Sequence, residues 1–154
     1  MEFFDFDVSR LFQVLVRIAV AFGLAVPVGW ERERAATSAG IRTFPLVAAA
    51  SCGYALLGAE ILGANAEAQA RVIQGLLTGI GFIGGGAILK HVERHVVHGT
   101  ATAASLWLTG ALGGAVGYGS YELAVVLSIV AFLTMRLLTP VERDQGPQAS
   151  AGEG

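Results

Sequence analysis

Charged side chains are scarce in this chain. Asp, Glu, Lys and Arg make up 14% of its 154 residues, against about 25% in ordinary soluble domains. The formal net charge of -2 supplies no basic field for nucleic acid, so we expect no nucleic-acid partner. The single cysteine, Cys52, excludes an internal disulfide. It is most simply a small core residue.

Catalytic and secretory signals are also lacking. No Ser/His/Asp or Cys/His set is defined along the sequence, so we expect neither an enzyme nor a bound organic cofactor. The first ten residues, MEFFDFDVSR, carry three acidic residues and one arginine, whereas a secretory signal begins with a basic segment. We therefore expect the first apolar segment to be retained in the protein.

Long apolar segments are abundant instead. Hydrophobic residues reach 54% and glycine occurs 21 times, a composition typical of membrane-spanning helices. Five segments reach or approach the roughly 20 residues that cross a bilayer as a helix, and none alternates as a barrel strand does. These are residues 11–30, 43–63, 72–89, 100–119 and 121–138. The sequence therefore predicts an all-α membrane protein, a polytopic bundle of about five transmembrane helices over residues 11–138.

Several residues mark the ends of these spans. Thr43 is a candidate N-cap of the second span, with Pro45 in its first turn. Glu122 lies in the first turn of the fifth span, where the helix dipole favours an anion. Pro140 is expected to end that span. The small and polar residues 139–154 predict a disordered tail.

The basic residues predict the orientation. Five spans place the two termini on opposite sides, and Lys and Arg collect on the cytoplasmic side. One side has seven of them and the other has two, when Arg17 inside the first span is left out. We expect residues 1–10 to be extracytoplasmic and the C-terminal tail to be cytoplasmic. The larger group is Arg32, Arg34, Arg42, Lys90, Arg94, Arg136 and Arg143, and the smaller group is Arg10 and Arg71.

The stretch GIGFIGGG, residues 79–86, contains the G-x-G-x-x-G spacing of dinucleotide-binding loops. That motif needs a preceding strand and an acid about 20 residues later, and the sequence has neither. The glycines indicate instead a helix whose small residues allow close packing. We expect spans three and four to meet glycine face to glycine face, although a backbone-lined ion site is an alternative. The packing candidates are Gly75, Gly79, Gly81, Gly85, Gly110, Gly113, Gly114 and Gly117.

The segment GWERER follows the first span directly. One interpretation is a solvated helix end, in which Glu31 can pair with Arg34. The other is that Glu31 and Glu33 face inward near Arg42 and Lys90. In that case one or two carboxylates could hold a Mg²⁺ ion that keeps several waters. Glu31 and Glu33 are therefore the candidate metal ligands, and Mg²⁺ is the ion that they would suit.

Other ionisable residues lie near span ends. Arg17 and Glu60 lie toward the outer ends of the first two spans, where charges are costly. They could pair with each other, or the Arg17 head could extend to the interface. His91, His95 and His98 would share one face of a helix, as metal ligands do. They lie in a short connection, however, and a solvated loop is the simpler interpretation.

Three blocks resemble the MgtC/SapB family of bacterial inner-membrane proteins. GWERERAATSAGIRTFPLVA is similar to the family's G-x-E-R-E, A-G-L-R-T and L-V pattern, and GIGFIGGGAILK to G-I-G-F-L-G-A-G-x-I-x-K. HGTATAASLW is similar to R-G-L-T-T-A-A-S-L-W, with His98 in place of the arginine and Thr100-Ala101 in place of leucine-threonine. The matching positions that become functional candidates are Glu31, Arg32, Glu33, Arg42, Thr43, Lys90, Thr102 and Trp107.

The resemblance implies a multi-pass protein of the bacterial plasma (inner) membrane, without the soluble C-terminal domain of longer members. It implies a regulatory role in magnesium homeostasis through contacts with other membrane proteins. The alternative is a small transporter or channel for Mg²⁺ or another cation, with Glu31 or Glu33 on the ion path. The lipid bilayer is a partner in both cases, and a homo-oligomer is compatible with both.

Overall fold

Five helices form the described part of the chain. The computed structural model describes residues 7–34, 39–89 and 99–144, and it contains no strand in these ranges. The helices are α1 (Val8–Arg34), α2 (Thr43–Leu62), α3 (Ala66–Leu89), α4 (Thr100–Gly117) and α5 (Tyr121–Asp144). The predicted all-α membrane bundle is confirmed.

Local capping explains two helix starts that the apolar pattern missed. α3 begins at Ala66, six residues before the predicted span, because the Asn65 side chain accepts a hydrogen bond from the Ala68 amide at 3.0 Å. The Asp7 carboxylate accepts one from the Ser9 amide at 2.8 Å at the start of α1. Both bonds satisfy amides that a helix end leaves without a partner.

Two expected helix-end signals are wrong. α5 continues through Pro140 to Asp144, so residues 139–144 are helical rather than part of a disordered tail. A proline removes its own backbone donor and its ring crowds the carbonyl four residues earlier, which can bend a helix without ending it. Thr43 is the first residue of α2 and not its cap, because its amide bonds to the Gly40 carbonyl at 3.0 Å as the preceding turn runs into the helix. Residues 1–6 and 145–154 lie outside the described part.

α4 lies at the centre of the bundle and contacts each of the other four helices, while α1 also packs against α2 and α5. Arg17 and Arg32, at opposite ends of α1, bond to Gly117 and Thr102 at opposite ends of α4, so these two helices are antiparallel. The Ser128 hydroxyl donates to the Leu24 carbonyl at 2.7 Å, which sets α5 beside α1. Because Arg32, later in α1 than Leu24, contacts Met135, later in α5 than Ser128, α5 runs parallel to α1 and antiparallel to α4.

Small side chains fill much of the interior, and many large apolar side chains lie on the outside. Ala21, Ala25, Ala48 and Cys52 have no exposed surface, whereas the Phe82 side chain is 85% exposed. Soluble proteins rarely expose extended apolar surface, but lipid accepts it without cost. α1, α2 and residues 66–88 of α3 are each long and apolar enough to cross a membrane. This distribution is the one that a bilayer solvent favours.

The glycines of α4 pack against α2, contrary to the expected glycine contact with α3. A Cβ atom at Gly113 would overlap the backbone of Ala48, and one at Gly117 would lie 2.8 Å from the Cys52 carbonyl oxygen. These close approaches let the two backbones touch, so Gly113 and Gly117 are packing residues as predicted, but with a different partner. Gly114 has no atom within 4 Å of its Cβ position.

α3 and α4 are antiparallel neighbours, as predicted, but glycine does not meet glycine between them. The Ile80 side chain fills the space beside Gly110, and a Cβ at Gly84 would lie 3.5 Å from the Ala103 Cβ. The Cβ positions of Gly75, Gly79 and Gly85 have no atom within 4 Å, and Gly81 has only the Trp107 indole nitrogen at 4.0 Å. A glycine-to-glycine interface would leave no room for the bulky Ile80, which is 6% exposed in this structure.

Candidate functional site

The GWERER segment continues α1 as regular helix, and this decides which of its side chains face inward. Arg32 is 6% exposed and faces the bundle, Glu31 is half-buried, and Glu33 and Arg34 are exposed. The Arg34 guanidinium lies 5.5 Å from the centre of the Trp30 ring, at the distance of a cation–π contact. Arg34 therefore contacts the Trp30 ring, whereas the sequence suggested that it pairs with Glu31.

Arg32 joins three helices. Its Nη2 atom donates to the Thr102 hydroxyl on α4 at 2.6 Å, and its Nη1 atom points to the Met135 sulfur on α5 at 3.3 Å. Arginine stays protonated in proteins, and burying an ion is costly unless its donors find acceptors. Thr102 is 1% exposed and Met135 6% exposed. The pairing of Arg32 with Thr102 therefore lies in a shielded environment, where hydrogen bonds are electrostatically stronger than in water.

Ser105 extends this cluster by one turn of α4. Its hydroxyl donates to the Ala101 carbonyl at 2.6 Å and lies 3.3 Å from the Met135 sulfur. Thioether sulfur is a weak acceptor, yet here it lies near two polar groups, from Arg32 and Ser105. We call Arg32, Thr102, Ser105 and Met135 the Arg32 cluster.

The Glu33 carboxylate closes the turn between α1 and α2. Its Oε2 atom accepts a hydrogen bond from the Ile41 amide at 3.2 Å. A Cβ atom at Gly40 would overlap this carboxylate, and one at Gly29 would lie 3.0 Å from the Ile41 Cα. The two glycines therefore allow the turn to fold back onto α1. Glu33 is engaged with this turn, which leaves Glu31 as the half-buried acid of the segment.

The structure brings together some of the predicted site residues. Arg32 and Thr102 are in contact, while Arg42 is exposed and Trp107, 47% exposed, lies against α3 beside Gly81. In the part of the chain that the structure describes, no three His, Cys, Asp or Glu residues are grouped so as to hold a metal ion. Magnesium binding by Glu31 or Glu33 stays a prediction. The predicted residues Lys90, His91, His95 and His98 lie outside the described residues.

Met135 and Ser105 were missed by sequence reasoning. Met135 lies in the apolar segment of α5, and nothing in that segment marks it as a partner of Arg32. Ser105 had a weak signal, because it follows Thr102 by three residues and so shares its helix face. Continuing α1 as helix to Arg34 would have placed Arg32 inside, where it needs acceptors from other helices.

The opposite end of the bundle has its own charged contacts. Arg17 does not pair with Glu60; its Nη1 atom donates to the Gly117 carbonyl at 3.1 Å, at the C-terminus of α4. A cation is favoured there because the last carbonyls of a helix carry partial negative charge. Glu60 pairs instead with Arg10. The sequence could not show this, because the pairing depends on where α4 ends beside α1.

Comparison with known proteins agrees with this architecture. The MgtC family profile matches residues 18–144. SrpB of Synechococcus elongatus is 34% identical over 129 residues, which cover 77% of this chain and 71% of SrpB. YhiD of Escherichia coli (strain K12) is 30% identical, over 81% of this chain and 60% of YhiD. MgtC of Brucella abortus is 34% identical, over 80% of this chain and 50% of that protein. No solved structure matches the chain.

The matched region contains the Arg32 cluster, the Glu33 turn and the glycine-rich part of α3. The chain spans 60% or less of the two relatives YhiD and MgtC, so their full activities are not transferred with the fold. The resemblance carried by the three sequence blocks is nevertheless confirmed. On the match of the family profile over most of its length, the chain belongs to the MgtC family.

Proposed function

We propose that this protein regulates magnesium homeostasis through contacts with other proteins in the membrane. The observation that carries the proposal is the closed interior of the bundle. Around α4 the facing residues Ala21, Ala48, Cys52 and Val116 are fully buried and apolar. A hydrated Mg²⁺ ion gives up its water reluctantly and needs oxygen ligands. A path through the middle of one protomer would have to cross this packed layer.

Relatives support the link to magnesium. YhiD of Escherichia coli (strain K12), which shares 30% identity with this chain, bears the provisional name of a magnesium transporter. For the present chain we infer participation in magnesium handling, with no chemical reaction catalysed. The Arg32 cluster would serve this function by fixing the relative positions of α1, α4 and α5 at the end of the bundle that we expect to face the cytoplasm.

The alternative function is transport of Mg²⁺ or another cation by an oligomer. Glu31 supports it, because its half-buried carboxylate could lie on a path formed between protomers. Ionisable residues at membrane depth commonly mark such paths. This alternative requires an assembly, since the interior of the single bundle is closed.

Reconstitution in liposomes separates the two functions. Purified protein would be placed in vesicles loaded with a magnesium-sensitive dye, and influx would be measured against empty vesicles. Glu31→Gln is the test variant, and Glu122→Gln, an exposed acid in the first turn of α5, is the matched control. Regulation without transport predicts no influx above that of empty vesicles with correctly folded protein. Influx that Glu31→Gln abolishes and Glu122→Gln leaves unchanged would refute the regulatory proposal.

A further inference from the structure

α1 and α2 extend farther than α4 at the end of the bundle that we expect to be extracytoplasmic. Arg17 bonds to the carbonyl of Gly117, the last residue of α4, yet α1 begins nine residues before Arg17, about 13 Å away along the helix. A Cβ atom at Gly117 would overlap that of Ala55, and α2 continues for seven residues beyond Ala55. The ion pair of Arg10 with Glu60 joins the two projecting ends. Both helices therefore extend about 10 Å beyond the end of α4.

α5 begins at the same low level as the end of α4. It runs parallel to α1, and the Ser128 hydroxyl bonds to the Leu24 carbonyl. Tyr121, the first residue of α5, lies seven residues before Ser128. Arg17 likewise lies seven residues before Leu24, so Tyr121 is about level with Arg17. The α4–α5 turn, residues 118–120, is therefore set back from the ends of α1 and α2. We call the space above this turn, beside the first part of α1, the outer recess.

The side of α1 that borders the outer recess is polar. Arg10, Gln13 and Arg17 follow one another at spacings of three and four residues, so they share one side of the helix. Farther along, the same side carries Ala21 and Val28, which have no exposed surface. The side of α1 that faces the bundle is therefore small and apolar below the α4–α5 turn and polar above it.

The opposite side of this segment is apolar and indicates the depth of the outer recess. Phe12 and Leu15 are 68% and 56% exposed, and Ile61 at the projecting end of α2 is 69% exposed. Contact with lipid accounts for such exposed apolar side chains. Leu15 lies between Gln13 and Arg17 in height. Lipid on the outside of α1 therefore reaches the level of the outer recess, which lies within the bilayer rather than above it.

The floor of the outer recess has backbone groups that lipid cannot satisfy. The first bond of α5 joins the Ala124 amide to the Ser120 carbonyl at 3.1 Å, so this helix supplies no acceptor for the amides of residues 121–123. Residues 118–123 are all exposed in the described part of the chain. Irregular backbone at membrane depth is tolerated only where protein buries it or where it lines a water-filled cavity. Because protein does not bury this turn, water is the partner that remains.

We propose that the outer recess is a water-filled vestibule, open to the extracytoplasmic side, which brings water and small water-soluble molecules to the level of Arg17. A guanidinium has five N–H donors, and water in the vestibule accepts from those of Arg17 that do not bond to Gly117. An acyl chain in the same space would lie against Arg10, Gln13 and Arg17, and polar groups without hydrogen bonds are costly to bury. The packed layer that includes Ala21 closes the vestibule from below, so it forms no pore. The vestibule is compatible with either function above.

The reactivity of introduced cysteines tests for water in the outer recess, because a thiol reacts as its thiolate and lipid disfavours that charge. Three single variants are compared in a Cys52→Ala background, namely Gln13→Cys, Ser120→Cys and Leu15→Cys. A charged maleimide that does not cross membranes is added to cells that express each variant. Leu15→Cys is the matched control, since it lies on the same segment of α1 but on the lipid side. We expect Gln13→Cys and Ser120→Cys to react at least about tenfold faster than Leu15→Cys.

Two checks accompany the rates. Circular dichroism verifies that each variant is folded, and all three thiols should react alike after unfolding in SDS. In liposomes, spin labels on the same cysteines report the medium whatever the orientation of the protein. Labels at Gln13 and Ser120 should collide with a water-soluble nickel complex, whereas a label at Leu15 should collide with oxygen dissolved in lipid.

Three results would overturn the proposal. Slow reaction of Gln13→Cys and Ser120→Cys in folded protein, with spin labels that meet oxygen rather than nickel, would show that lipid or protein fills the outer recess. Fast reaction of Leu15→Cys would show that this segment lies outside the bilayer, so that no recess exists. Labels that meet nickel while both thiols stay unreactive in cells would show that the space does not open to the extracytoplasmic side.

Discussion

Replacing Thr102 by valine tests whether the Arg32 cluster fastens the bundle. The substitution keeps the branched shape of the side chain and removes the hydroxyl that accepts the 2.6 Å bond from Arg32 Nη2. Because Thr102 is 1% exposed, water cannot readily replace the lost acceptor. The guanidinium keeps its charge. The variant should therefore be less stable than the parent.

The size of the effect depends on which reference applies. Hydrogen bonds between transmembrane helices average about 0.6 kcal/mol in double-mutant cycles. Hydrogen bonds to charged groups contribute about 1.5–3 kcal/mol to stability. Removing the acceptor also leaves the buried donor without a partner, which lowers stability further. Since the donor here is an ion that is 6% exposed, the second range applies. We expect Thr102→Val to lower the free energy of unfolding by about 1.5–3 kcal/mol.

Reversible unfolding in mixed micelles of mild detergent and SDS, followed by circular dichroism, gives this free energy. Thr78→Val is the matched control, because Thr78 is exposed and its hydroxyl bonds only to the Gln74 carbonyl of its own helix at 2.9 Å. Its change should stay within about 0.5 kcal/mol. A double-mutant cycle of Thr102→Val with Arg32→Met then isolates the pair. A coupling energy near zero would show that the Arg32–Thr102 contact does not stabilise the bundle.

The contact of α4 with α2 and the bond from Arg17 to α4 each predict a change in the free energy of unfolding. Gly113→Ala should destabilise the protein by about 1–3 kcal/mol through overpacking against the α2 backbone, whereas its neighbour Gly114→Ala should stabilise it by up to about 1 kcal/mol, since its Cβ position is open. The same unfolding assay measures both, and equal effects would contradict the α2–α4 contact. Arg17→Met should cost about 1 kcal/mol by removing the bond to the Gly117 carbonyl. Arg71→Met, which breaks only an exposed ion pair, should cost less than about 0.5 kcal/mol, and a larger loss than that of Arg17→Met would contradict this ranking.

The number and direction of the helices were predictable because bilayer length sets them. The predicted bounds of α2 and α4 agree with the structure within about two residues. Each is an apolar segment of roughly 20 residues, the length that crosses a bilayer. The α3 start was not visible in the apolar pattern, because Asn65 caps six polar and small residues that precede the apolar run. Likewise, Pro140 predicted the end of α5, but the helix continues beyond it to Asp144. Apolar length predicts where a helix crosses lipid, but capping and packing decide where it begins and ends.

The candidate site was predictable in part. The blocks that resemble the family pointed to Arg32 and Thr102, and the structure joins them directly. They did not point to Met135, since its contribution depends on α5 lying parallel to α1. Glu31 and Glu33 were treated as a pair, but neighbours two apart in a helix face different directions. Glu33 turns to the Ile41 amide, and Glu31, the residue before Arg32, is half-buried.

The faces of the helices were the hardest feature to predict, for a reason specific to lipid. In a soluble helix the large apolar residues mark the buried side, but here they mark both the core and the lipid-facing surface. The glycines were expected to identify the contact faces, because small residues are common where membrane helices meet. They do so for Gly113 and Gly117, which meet α2, yet among the described residues no atom lies within 4 Å of the Cβ positions of Gly75 and Gly79. A small residue on a membrane helix therefore does not by itself mark a contact inside the protomer, and only the position of the neighbouring backbone distinguishes Gly113 from Gly79.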